Sequence, residues 1–213
     1  PDGSKVRTII IENNFKEDQV KLVKRDVREL QMTTSEEILK IIEKAKIELK
    51  KLEIDQWQKG YPDRKAVEND VKRNISYVIE EIDENKRETE NKISRKVVGT
   101  IALSPEREES YSKIEGKWIT DDDYMVIHRL AVDSDVKNKG LGTKILEFSE
   151  RVCIENKILS LKADTHENNE PMKRLLTKNG FSYCGLIYLD SGPDFGAKRI
   201  AYEKIIKIPH ILL

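Results

Sequence analysis

Apolar positions along the chain switch between steps of three or four residues and steps of two, and this switching lays out the elements. Ile38, Ile41, Ile42, Ala45, Leu49 and Leu52 fall on one stripe of a helix of about four or five turns. Thr34 or Ser35 is placed to cap it, with Glu36 and Glu37 in its first turn. Upstream, Val20, Leu22 and Val23 predict a strand over Gln19 to Lys24, whereas Pro1 to Asn14 carry no amphipathic pattern. Residues 1–18 are read as an N-terminal extension, in part a fusion remnant, and 19–213 as one domain. Trp57 to Asp63 break the helical period with Gly60 and Pro62 and read as a loop. A short helix over Arg64 to Arg73 and strands over Ile75 to Ile82 and Val97 to Leu103 follow. Between the strands, Asp83 to Lys96 hold nine charges in fourteen residues, the mark of a solvated hairpin loop.

The second half repeats the alternation. Tyr124 to Val132 predict an apolar strand, Asp133 to Asp135 a turn, and Leu141, Ile145, Phe148 and Val152 one face of a helix. Ser160 to Asp164 read as a buried strand, and Glu170 to Lys178 as a helix with Met172, Leu175 and Leu176 inward. Phe181 to Leu189 and Arg199 to Lys204 close the chain as a strand pair. Strands alternating with helices put the fold in the α/β or α+β class with a mixed central sheet, and no repeat or linker divides it.

Composition narrows the function. Of 213 residues 38% are hydrophobic, enough for a core, and 39 basic residues balance 39 acidic ones. A chain with no global positive field is not built to bind nucleic acid, so any phosphate recognition is local. No apolar run approaches the roughly 20 residues of a membrane span. Cys153 and Cys184 lack metal or redox spacing and read as reduced, structural thiols of a cytoplasmic protein, and no metal site is expected.

The segment that points to chemistry is Lys137-Asn138-Lys139-Gly140-Leu141-Gly142-Thr143, set between a strand and an amphipathic helix. Glycines let a backbone approach a phosphate, the first amides of a helix lack intrahelical partners, and the dipole favours an anion there. On this reading a Gly142→Glu carboxylate would occupy the anion position. The loop lacks the Lys-Ser/Thr ending of a P-loop and the third glycine of a dinucleotide fingerprint, and a plain turn before a helix would also explain it.

Leu130-Ala131-Val132 followed by Lys137-x-x-Gly140-x-Gly142 resembles the acetyl-CoA motif of the GNAT superfamily, with Lys137 in the place of the usual Arg or Gln. Asn169-x-x-Met172 and Lys178-x-Gly180-Phe181 are similar to its second signature, with Met172 for the usual Ala. Trp57-Gln-x-Gly-Tyr-Pro62, His128-Arg-Leu-Ala-Val132, Asp164-Thr-His166 and Ala201-Tyr-Glu-Lys204 look like a bacterial subgroup of that superfamily. The resemblance implies a mixed, mostly antiparallel sheet flanked by helices, the acyl-CoA N-acyltransferase fold. It also implies that Tyr124 to Val132 and Ser160 to Asp164 splay apart around acetyl-CoA. Leu130, Ala131 and Val132 would then meet the pantetheine arm, residues 137 to 143 the pyrophosphate, and Asn169 and Met172 its far end.

The implied activity is N-acetylation of a primary amine, of a small molecule, by direct attack, with CoA as product. Acetylation of a protein N-terminus or lysine is the alternative, and a catalytically weak acyl-CoA-binding regulator a third reading. No nucleic-acid or membrane partner is expected, and the assembly would be a monomer or homodimer. His128, four residues before Val132, stands where the family places a base, and a free imidazole titrates at about 6.5. It is equally readable as a half-buried strand histidine. The family's usual acid, a helix Tyr, is replaced by Leu176, leaving Tyr183 and Tyr188 as acids or as packing. Asp164 and His166 are substrate contacts, or Asp164 or Thr165 caps the next helix. Trp57 and Tyr61 wall the acceptor pocket, or plug the core. Strand alternation puts Arg129 on the face opposite His128.

Overall fold

The computed structural model describes residues 7–12, 20–24, 30–89, 92–136 and 140–207, with side chains over 35–81, 95–136 and 140–207. Helix α1 runs over Leu30–Lys51, earlier than the expected cap, so Thr34 and Ser35 lie inside it rather than at its start. Its stripe is as predicted at Ile38, Ile41 and Ile42, each at most 2% exposed, while Leu52 lies past the helix and is 55% exposed. Strands β1 (Arg7–Glu12) and β2 (Val20–Lys24) precede it. β1 pairs antiparallel with β2 and parallel with β3 (Ser76–Thr89), so part of the expected N-terminal extension belongs to the sheet. The charged run is not a loop. β3 and β4 (Lys92–Ser104) carry the ladder outward past Asp83↔Ser94, with irregular register toward the tip.

Helix α2 (Arg64–Lys72) begins at Asp63, whose side chain accepts from the Ala66 amide at 2.9 Å. Helix α3 (Glu109–Ser112) and strand β5 (Glu115–Gly116) occupy a polar stretch without periodicity. Then come β6 (Tyr124–Val132), a 3-10 turn over Ser134–Val136, α4 (Leu141–Glu155), β7 (Ser160–Thr165), α5 (Glu170–Lys178), β8 (Ser182–Tyr188) and β9 (Lys198–Ile205). These match the elements predicted for the second half. Pairing is mixed: β6 with β7 is parallel, while β7 with β9, β9 with β8 and β8 with β5 are antiparallel.

The chain forms two compact units. The first holds 1–45, 62–102 and 129–141, with a core that includes Ile38, Ile42, Val67, Val78, Ile79 and Ile101. The second holds 46–61, 103–128 and 142–213. Within this second unit the sheet has two different faces. One packs Tyr111, Tyr124, Val126, Ile187 and Ala201, with Trp118 and Leu189 against them. The other bears Lys204, which reaches Glu150 of α4 at 2.5 Å, so α4 covers the face of Leu161, Ala163 and Tyr202. Phe148, Ile145 and Leu146 of α4 are at most 2% exposed. Burying this face of one amphipathic helix is worth on the order of several kcal/mol before conformational entropy is counted.

Candidate active site

The register of β6 and β7 runs from Tyr124↔Ser160 to Ile127↔Ala163 and stops there, although β6 continues to Val132 and β7 to Thr165. His128 and Asp164 stand just past the last pair. Arg129 follows with φ +51, a left-handed conformation unusual for a non-glycine residue, so simple strand alternation does not fix its face. Its guanidinium is held in two 2.5 Å contacts by Asp70 of α2, with side chains only 12% and 5% exposed.

His128 is half-buried, and its Nε2 lies 3.0 Å from Glu108 Oε1. Three residues on, the buried Tyr111 donates from its hydroxyl to Asp164 Oδ2 at 2.9 Å. Trp118 Nε1 donates to the Tyr111 carbonyl at 2.9 Å, and the two rings lie 5.0 Å apart. Burial raises the Asp164 carboxyl above its ordinary value, against the lowering pull of His128, the Tyr111 hydroxyl and Arg199. Burial also pushes the Tyr111 phenol well up, with Asp164 adding to the effect. Arg199 lies 3.9 Å from Asp164 and is held at 2.9 Å by Asp194. Segment 105–111 therefore supplies partners to two adjacent strand residues, and nothing in its local pattern announces that.

Deeper on the same face, the Lys162 ammonium sits 4.2 Å from the Trp118 ring centre and 4.0 Å from that of Tyr124. Burial lowers its pKa, opposed first by Glu203. Glu203 is itself fully buried and accepts from Ser160 Oγ at 2.6 Å and the Ile119 amide at 2.5 Å. Its lone pairs hold β7 and the 117–119 stretch in place.

At the end of β7 the cap is neither Asp164 nor Thr165. Asn169 caps α5, its Oδ1 accepting from the Met172 amide at 3.2 Å, with proline in the first turn. Asn169 Nδ2 donates to Gln56 Oε1 at 3.2 Å, an oxygen that also accepts from the His166 amide at 3.3 Å and the Thr165 hydroxyl at 3.4 Å. Gln56 thus pins the 52–63 loop, with its neighbour Trp57 at φ +66 and half-buried, to the end of β7. Tyr61 is likewise half-buried. His166 accepts from the Asn168 amide through Nδ1 at 3.1 Å, which commits that nitrogen to the turn, and burial lowers its pKa. Tyr183 and Tyr188 are 61% and 44% exposed; Tyr183 packs its ring edge-on to Tyr202. Leu176 is fully buried.

Lys137, Asn138 and Lys139 lie outside the described residues. Gly140 has φ +70, and a Cβ there would meet nothing within 4 Å. Only glycine takes that conformation freely, and the space beside it is open at the start of α4. Gly142 does something else. A Cβ on it would lie 3.0 and 3.1 Å from the Leu175 methyl carbons, so this glycine lets α4 and α5 approach. Thr143 Oγ1 accepts from Asn179 Nδ2 at 3.2 Å across the same contact.

Residues 46–181 match the model of the acetyltransferase (GNAT) family. A GNAT-family acetyltransferase structure from Streptococcus agalactiae 2603 is 30% identical, with a TM-score of 0.67 over 83% of this chain and 92% of its own. This chain belongs to the GNAT acetyltransferase family. Two more structures share the fold: one from Staphylococcus aureus Mu50 (24% identity, TM-score 0.56, 83% and 95% covered) and one from Listeria monocytogenes 4b F2365 (18%, 0.55, 84% and 91%). No curated protein matches the chain. The GNAT fold is the mixed, mostly antiparallel sheet with flanking helices seen in the element order above.

The protein is therefore an acetyltransferase that uses acetyl-CoA. The residues fit that donor: the space beside Gly140 is open at the start of α4, where the first amides of a helix favour an anion, and the β6–β7 ladder ends at Ile127↔Ala163. No helix among the described residues is long and apolar enough to cross a membrane.

Proposed function

We propose that this GNAT protein moves an acetyl group to the primary amine of a small molecule, with His128 as the base. The observation that carries the reading is the place of His128: half-buried, beyond the last β6–β7 pair, with its Nε2 3.0 Å from a carboxylate. An amine arrives mostly as ammonium at neutral pH and must lose a proton before it is nucleophilic. With Nε2–H donated to Glu108, Nδ1 carries the lone pair and takes that proton. Bound acetyl-CoA supplies the electrophilic acetyl thioester. Its pyrophosphate end would be held by Lys137 to Thr143 and its pantetheine arm by backbone groups of Leu130, Ala131 and Val132, with Asn169 and Met172 toward the far end.

Asp164, 15% exposed in its side chain, sits beside the same site and gives a cationic acceptor a counter-charge. Trp57 and Tyr61, on a loop tied down through Gln56, favour a small, partly enclosed acceptor over a protein tail. Tyr183 and Tyr188, the acids expected from sequence, have no contact here that links them to His128. The leaving group's proton is assigned to the same imidazolium or to water.

The test begins with a panel of primary amines and acetyl-CoA, read by thiol release. On the best acceptor, His128→Gln should lower kcat by roughly a hundredfold or more while leaving acetyl-CoA affinity unchanged. A variant that keeps both its rate and the acidic limb of its rate profile makes His128 structural. Acetyl-CoA binding with no turnover across the panel would make the chain a binding protein.

A further inference from the structure

We infer that Glu108 is a positioning residue for His128: it fixes the ring tautomer and orientation and stabilises the imidazolium formed when the proton is taken up. The inference rests on His128 as base, and adds a residue that neither motif contains.

Glu108 immediately precedes α3, twenty residues before His128 in the chain, and its Oε1 meets His128 Nε2 at 3.0 Å. A carboxylate only accepts, so the hydrogen on the shared contact belongs to the ring. That places the neutral lone pair on Nδ1. The backbone at Glu108 is held in place. Glu108 is anchored by a backbone hydrogen bond with the Tyr124 hydroxyl and by the Tyr111 amide, which donates to the Glu108 carbonyl at 3.1 Å. Tyr111 is in turn locked to Asp164 and Trp118.

The charged and titratable groups around the ring come from each neighbouring element. They are Glu108 ahead of α3, which meets the ring, and Asp164 on β7, which is itself held by Tyr111 on α3 and by Arg199 on β9 with its partner Asp194. Of these Glu108 alone contacts the imidazole directly in the described residues, while Asp164 acts on it through space. Asp164 is shared with Tyr111 and Arg199, and Glu108 is the carboxylate in contact with the ring.

The test uses the full chain without acceptor. The sequence holds three histidines, so the His128 ring signal in a nitrogen-resolved NMR titration is assigned by its absence in His128→Gln. The native signal should show the Nε2–H tautomer. In Glu108→Gln, which keeps an acceptor but removes the charge, the midpoint should fall relative to the native chain. In Glu108→Ala the tautomer preference should also be lost. Thermal stabilisation by acetyl-CoA should survive in both variants, showing that they are folded. The acidic limb of turnover in Glu108→Gln should move with the NMR midpoint.

An unmoved midpoint and tautomer in both Glu108 variants overturns the inference while leaving His128 as base. A moved midpoint with unmoved kinetics also overturns it, by reducing the pair to structure. If His128→Gln keeps full turnover, the base assignment fails first and Glu108 with it.

Discussion

Gly142 on α4 and Leu175 on α5 meet so closely that a Cβ on the glycine would stand 3.0 Å from a Leu175 methyl. Two residues earlier, Gly140 has no such neighbour but holds φ +70. The two glycines thus serve different ends, Gly142 close packing and Gly140 backbone conformation. Gly140→Ala should cost about 1 kcal/mol through left-handed strain. Gly142→Ala should be close to neutral, because about 1 kcal/mol of helix propensity offsets a small movement of a flexible Leu end. Gly142→Glu should lower the melting temperature on its own, by prising the helices apart, so its loss of acetyl-CoA binding would not report on an anion site. Melting curves of the three variants check the order; a Gly142→Glu chain that melts like the native one would refute the packing role.

The elements with a strong local signal were legible. Leu141, Ile145, Phe148 and Val152 mark α4 because helical periodicity needs only neighbours in sequence, and all four are buried. β1 was missed because Arg7–Glu12 becomes a strand by pairing with β3, some seventy residues away. The outer part of the β3–β4 hairpin has the sequence of a loop because its charges give no alternation of apolar and polar faces. The site divides in the same way. Motif and position suggest His128, Asp164 and the glycine loop as candidates, whereas Glu108, Tyr111 and Gln56 act on partners 20, 53 and 109 to 113 residues distant. A polar stretch such as 105–123 shows no period from which such contacts follow.

Asp164 makes a prediction about pH. Its folded pKa is raised above the ordinary 3.8, chiefly by burial, so the folded chain holds the proton more tightly than the unfolded chain does. Stability from this group is therefore present below the ordinary value and is lost as pH rises through the raised one. Asp164→Asn keeps an acceptor for the Tyr111 hydroxyl and leaves Arg199 its Asp194 contact. The variant should melt higher than the native chain at pH 7, and the difference should vanish below the ordinary carboxylate range. Equal melting at both pH values would show that ionised Asp164 costs the fold nothing. Acceptor KM should rise in the same variant, since the counter-charge for a cationic amine is gone.

The last prediction concerns Arg129, which keeps a left-handed backbone between His128 and Leu130 while Asp70 grips its guanidinium in two contacts. Such a conformation costs a non-glycine residue about 1–2 kcal/mol and persists only where surroundings enforce it. Both side chains are largely removed from water, so withdrawing the carboxylate takes a two-contact partner from a buried guanidinium. Asp70→Ala should lower stability by about 3–5 kcal/mol. Arg129→Gly in that background removes both the charge and the strain, so the double variant should be more stable than Asp70→Ala alone. Denaturant unfolding of the two chains decides it. A double variant less stable than the single would mean that Arg129 contributes packing rather than strain and charge. Because the irregular residue sits between the proposed base and the strand residues assigned to the pantetheine arm, the Asp70→Ala chain should also show a smaller acetyl-CoA stabilisation. The double variant, with glycine free to hold the same φ, should recover part of it.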